Sequence, residues 1–135
     1  MLPELLPRLP RRLDGMYVIL WEYEVLAEQA SKFVAAYRAD GAWAQLFGEA
    51  KGYLGTELLP HIAQLGMAES ATESFRRYMT IACWASTEDF ARFHEEFSEP
   101  YKGLGVRCES LTLGESRIGS FTALDGRAAE HALTA

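Results

Sequence analysis

The sequence predicts an α+β domain in which the order β-α-β-β-α-β builds one four-stranded antiparallel sheet. Three observations carry this. Residues 16–25 alternate with period two, residues 28–38 repeat with a helical period, and a strand over residues 76–85 runs directly into a capped helix. At 135 residues with 49% hydrophobic content, the chain is long enough for one real core and too short for two ordinary domains.

The first strand, residues 16–25, places Tyr17, Ile19, Trp21, Tyr23 and Val25 on one face. Its other face carries Val18 and Leu20, then Glu22 and Glu24. Apolar residues on both faces at one end predict a sheet covered on two sides. Residues 28–38 form a helix, with Ala30, Phe33, Val34 and Tyr37 on its stripe. Asp40-Gly41 breaks the phase, and Asp40 is the expected cap of a second piece carrying Trp43, Leu46, Phe47 and Ala50.

Gly52 ends that piece, and the second strand spans residues 53–59. Residues 60–75 are irregular and longer than a usual hairpin connection. The third strand, residues 76–85, alternates Tyr78, Thr80, Ala82 and Trp84 against Met79, Ile81, Cys83 and Ala85. Ser86 then caps a helix with acids in its first turn, where they oppose the helix dipole. Phe90, Phe93, His94 and Phe97 share its stripe.

Glu99-Pro100 interrupts that helix, because the residue before a proline avoids the helical region, and Pro100 opens the next. There Tyr101, Leu104, Cys108 and Leu111 align. Residues 117–122 give a short fourth strand. The full order is the ferredoxin-like split βαβ plan. Residues 1–15 are a Pro-rich arm, residues 16–122 the domain, and residues 123–135 an Ala-rich tail.

Composition excludes several functions. The net charge of −6 disfavours a nucleic-acid partner, which selects a basic face. No apolar run reaches the roughly 18 residues a membrane span needs. The arm is no secretory signal, since Pro3, Pro7 and Pro10 break it and its arginines follow the apolar stretch. Cys83 and Cys108 read as a reduced pair, and the expected location is cytoplasmic.

The strand Trp21-Glu-Tyr-Glu-Val25, the helix break between Tyr37 and Leu46, the run Gly52-Tyr-Leu-Gly-Thr-Glu-Leu58, Trp84-Ala-Ser86 and Arg117-Ile-Gly-Ser-Phe121 together resemble the antibiotic-biosynthesis-monooxygenase family. The resemblance covers residues 16–122. It implies a dimeric α/β barrel, in which two sheets pack face to face and each subunit holds its own pocket. The stretch of the third strand from Tyr78 to Ala85, which carries no charge on either face, points the same way: its apolar second face asks for a homodimer partner.

The resemblance further implies a cofactor-independent monooxygenase acting on a small aromatic, phenolic or quinol substrate. Such chemistry needs an apolar pocket, a proton acceptor and a donor for developing oxyanion charge. The chain departs from the family by containing no Asn. Trp21, Phe93 and Gly103 stand where the haem-degrading branch has its Asn, its pocket Trp and its iron-binding His, which argues against haem. The alternatives are a non-catalytic homodimer that binds a small apolar molecule and an accessory subunit using the arm or the 61–75 loop.

His94 is the expected catalytic base, since its ordinary pKa lies near neutrality; its bland reading is a partly buried histidine bonded to a carbonyl or carboxylate. Trp21, Tyr23, Trp84, Phe93 and Tyr101 are the expected substrate-binding set, although aromatics on strands also simply fill cores. Tyr37, Tyr53 and Tyr78 offer further hydroxyls. Glu22 and Glu24 share a strand face but have no third ligand at metal spacing, and neither His61 nor His131 has a partner; no metal and no cofactor are expected. The thiols lack a cap or cation that would activate them. Gly103-Leu-Gly105 lies within a helical region and is no phosphate loop.

Overall fold

A computed structural model of the chain describes residues 16–62 and 74–122. The expectations for the arm, the tail and most of the long connection lie outside these residues. Four strands are present: β1 (Tyr17–Leu26), β2 (Tyr53–Pro60), β3 (Phe75–Trp84) and β4 (Gly114–Thr122). They form one sheet of order β2-β3-β1-β4, with every neighbouring pair antiparallel. The helices are α1 (Ala30–Tyr37), α2 (Ala42–Phe47), α3 (Thr87–Glu96) and α4 (Ser98–Cys108). This is the ferredoxin-like α+β arrangement, with each crossover helix in two pieces.

The period-two pattern of β1 survives in three dimensions. Ile19, Tyr23 and Val25 are buried on the helix-facing side, while Glu22 and Glu24 are exposed on the other. Directly opposed residues share a face. Tyr17 pairs with Trp84, Ile19 with Ala82, Trp21 with Thr80 and Tyr23 with Tyr78, so one face of β1 and β3 is largely aromatic.

Two bulges shift the outer strands. In β2 the register slips between Tyr53 and Gly55, so that Tyr53 faces Trp84 and Thr56 faces Ala82, with Leu54 as the extra residue. Gly55, at φ +142°, occupies backbone space that a side chain rarely tolerates. In β4 the slip falls opposite Leu20 and Trp21 and leaves Ile118 unpaired. β4 is also longer than the expected 117–122, because residues 114–116 are polar and pair along an edge without an apolar signal.

The core has two parts. Tyr23, Val25, Phe33, Tyr37, Tyr78, Leu104 and Cys108 form one cluster under α1 and α4. Ile19, Trp84 and Phe93 form the other under α3. Trp21 and Leu46 pack on both and join them. Trp84, Phe33, Phe93 and Val25 are the most deeply buried large side chains, each worth roughly 1.5–3 kcal/mol by burial alone.

Ser86 caps α3 as expected: its Oγ accepts from the Asp89 amide at 3.1 Å. The expected Asp40 cap of α2 is not formed. Gly41 is the N-cap, while the Asp40 carboxylate pairs with Arg38 at 2.8 Å and its carbonyl accepts from Gln45. The carboxylate's pairing with Arg38 takes the place of the cap. The break between α3 and α4 falls at Phe97, earlier than Glu99-Pro100. Pro100 instead sits in the first turn of α4, where a missing N–H costs nothing.

The second sheet face carries Val18, Leu20, Met79 and Ile81, partly exposed, with Leu59 and Phe121 exposed at 42% and 52%. No described helix covers it. Cys83 and Cys108 are both free and buried, and burial raises both thiol pKa values.

Candidate active site

Between the aromatic sheet face and the helices lies a cavity of about 210 Å³. Its floor comes from alternate residues of the sheet: Ile19, Trp21 and Tyr23 of β1, Thr80, Ala82 and Trp84 of β3, and Thr56 of β2. Tyr37 of α1, Trp43 and Phe47 of α2, Phe90 and His94 of α3, and Tyr101 of α4 close it from above. Glu115 and Arg117 of β4 complete the rim.

Of the expected site residues, Trp21, Tyr23, Trp84, His94 and Tyr101 line this one cavity. Phe93 does not. It is 1% exposed and packs on Trp84 at 5.4 Å, Phe47 at 5.1 Å and Phe97 at 5.2 Å between centroids. One residue along a helix rotates a side chain by about 100°, which is enough to send Phe93 into the core and His94 to the cavity.

Ring contacts hold the site in place. His94 meets Phe90 at 4.5 Å, Tyr101 at 4.7 Å and Phe93 at 5.3 Å, all edge to face. Tyr101 in turn meets Trp43 at 5.5 Å. Such pairs add about 0.5–1.5 kcal/mol each beyond area burial, and here they fix the imidazole without a hydrogen bond to any described residue. No described carbonyl or carboxylate accepts a hydrogen bond from His94.

Electrostatics favour a neutral imidazole. Desolvation first, and the nearby Arg117 charge second, hold the His94 pKa below its ordinary 6.5. At neutral pH it is a proton acceptor. Burial pushes the Tyr23, Tyr37 and Tyr101 hydroxyls up, with Glu115 adding to each, so they stay protonated and serve only as donors or acceptors of hydrogen bonds. Tyr23 spends its hydroxyl on Thr80 Oγ1 at 3.2 Å. The Tyr53 hydroxyl is likewise committed to Thr56 Oγ1.

The indole N–H of Trp43 is buried and has no hydrogen-bond partner among the described residues. It lies near enough to the Tyr37 hydroxyl and the Cys108 thiol to oppose the rise of their pKa values, but in no bonding geometry.

The sequence did not mark Arg117 and Glu115 as site residues. The bulge at Ile118 puts Arg117 opposite Trp21 and so on the cavity face, where a regular ladder would have put Ile118. Arg117 Nη2 donates to the Tyr17 hydroxyl at 3.0 Å and to Ser120 Oγ; the Tyr17 hydroxyl donates to Ser120 Oγ at 3.0 Å. No group of three or more His, Cys, Asp or Glu gathers at metal-binding range among the described residues. No described helix is long and apolar enough to cross a membrane.

No protein-family model matches the sequence, and no curated protein matches it significantly. Solved structures do match the fold. A mutant of SnoaB, a cofactor-independent oxygenase from Streptomyces nogalater, superposes with a TM-score of 0.57 at 18% identity, covering 82% of this chain and 95% of that one. A protein from Bacillus cereus assigned as an antibiotic biosynthesis monooxygenase superposes with a TM-score of 0.52 at 11% identity, covering 83% and 96%.

Proposed function

We propose that this chain, which has the fold of the antibiotic-biosynthesis-monooxygenase-type proteins, is an oxygenase that uses no flavin, haem or metal. Its substrate would be a small aromatic, phenolic or quinol compound. The observation that carries the reading is an aromatic cavity containing one neutral imidazole, His94, beside one guanidinium, Arg117.

The chemistry follows from those groups. His94 takes a proton from an acidified substrate C–H or O–H, leaving a carbanion delocalised over the arene. Its electrons form a C–O bond to dioxygen, and negative charge develops on the terminal peroxide oxygen. Arg117 lies on the same rim to oppose that charge. The imidazolium returns its proton to give a hydroperoxide. The regenerated imidazole then takes the remaining proton from that carbon as the O–O bond breaks, so one oxygen stays as a carbonyl while the other leaves as hydroxide and, with that proton, as water. A CH₂ carbon and O₂ thus give C=O and H₂O, with no outside reductant.

The exposed apolar face of the sheet supports a homodimer built face to face. A second reading, a homodimer that binds its ligand without turnover, is favoured by one observation: the chain contains no Asn, so no side-chain amide faces the cavity from that residue type.

Oxygen consumption by metal-free and flavin-free protein, against hydroquinones, naphthols and naphthoquinols, tests the proposal. Saturable uptake above autoxidation is expected, and His94→Ala should lower it by about 10²-fold or more. Uptake equal in wild type and His94→Ala would remove His94 as the base. No uptake with any compound that binds would leave the binding reading in first place.

A further inference from the structure

Among the described residues, Arg117 is the one guanidinium that lines the cavity, and it is held rather than spent. Arg117 is on an exposed edge strand, yet its Nη2 is fixed by Tyr17 and Ser120, themselves hydrogen-bonded to each other. A surface arginine ordinarily wanders; this one is aimed by two neutral oxygens that take none of its charge. Glu115, two residues along on the same strand face, forms no ion pair with it, and no described carboxylate lies within 4.0 Å of it. Neither Nε nor Nη1 is committed to a described residue, so the fork keeps donors for a planar anion.

The lining also includes Trp21, Trp84, Phe90 and His94, a set of flat rings that suits a flat ligand. At about 210 Å³ the space is below the roughly 300–1,000 Å³ of sites for drug-sized molecules, which suits one or two fused rings better than three or four.

We infer that Arg117, positioned by Tyr17 and Ser120, anchors a carboxylate on a mono- or bicyclic aromatic ligand whose ring lies against the tryptophan wall. This rests on the cavity being the ligand site proposed above, but not on turnover. It narrows the substrate class to hydroxylated aryl carboxylic acids and gives Arg117 a role in specificity. An anionic substituent held at the mouth also fixes which ring position faces His94.

Calorimetric titration without oxygen tests it, using 1-hydroxy-2-naphthoate and its neutral isostere 1-hydroxy-2-naphthamide as probes. Wild type should bind the acid at least about tenfold more tightly than the amide, as a charge-assisted hydrogen-bond pair implies. Arg117→Gln should bring the two within about twofold by weakening the acid alone, and Arg117→Lys should recover part of the preference. Tyr17→Phe should weaken the acid and spare the amide, since Tyr17 acts only through Arg117. Equal affinities in wild type, a preference that persists in Arg117→Gln, or binding of neither probe would each overturn the inference. Because oxygen is absent, acid-selective binding without uptake in the aerobic assay would defeat the oxygenase reading and leave the anchor standing.

Discussion

The rings of His94 and Tyr101 stand edge to face with centroids 4.7 Å apart, one carried by α3 and the other by α4. Two short helices separated by a break at Phe97 thus act on one imidazole.

That environment has a measurable pH signature. His94 has a folded-state pKa below its ordinary 6.5, so the folded state binds fewer protons than the unfolded one in that window. Its contribution is present above pH 6.5 and is lost as pH falls through the folded value. Denaturant midpoints measured from pH 7.5 down to pH 5 should fall, and His94→Gln should flatten part of that slope. An identical slope in the variant would show that His94 is not the group responsible.

Phe93→Ala should behave as a core deletion. The ring is 1% exposed and wedged among Phe47, Trp84 and Phe97, so removal should cost about 3–5 kcal/mol in chemical denaturation. A cost below about 1 kcal/mol would mean that the ring is not packed as described.

Gly52 has φ +90°, and a Cβ built there would meet the Asp89 side chain at 2.3 Å. Gly52→Ala adds a left-handed strain and pushes on the residue whose amide the Ser86 cap holds. A loss of about 1–3 kcal/mol in unfolding free energy is expected. Wild-type stability in this variant would contradict the turn geometry.

The outer face of the sheet offers a separate test of assembly. Ile81→Glu places a carboxylate opposite Leu20 and beside Glu57, on the sheet face where two subunits would meet in a dimer. Light scattering coupled to size exclusion should report a dimer for wild type and a monomer for the variant, because an unpaired charge cannot be desolvated at low cost. A wild-type monomer at micromolar concentration would rule out the face-to-face assembly.

Much of this was readable from residue order. The alternation of Tyr17, Ile19, Trp21 and Tyr23, and of Tyr78, Thr80, Ala82 and Trp84, has one structural meaning at period two, and Ser86 with Asp89 announces a helix start without ambiguity. The aromatic set of the cavity followed, since residues on one strand face meet residues on one helix stripe. What the pattern did not contain was anything decided by one residue of slip. Phe93 and His94 are adjacent on their helix and share its apolar side, and only packing separates core from cavity. Arg117 reaches the rim because a bulge at Ile118 inverts the alternation of β4, and a bulge on a polar edge strand leaves no apolar trace in the sequence.

All three tryptophans of the chain, Trp21, Trp43 and Trp84, stand in the wall of the candidate cavity. The protein's entire indole emission therefore originates where a ligand would sit. Occupancy by an aromatic acid or a quinone should quench that emission while leaving its wavelength at the buried value, whereas unfolding should shift it to the red. The chain carries its own optical gauge of site filling, and a label-free titration can separate a filled site from a lost fold in a single spectrum.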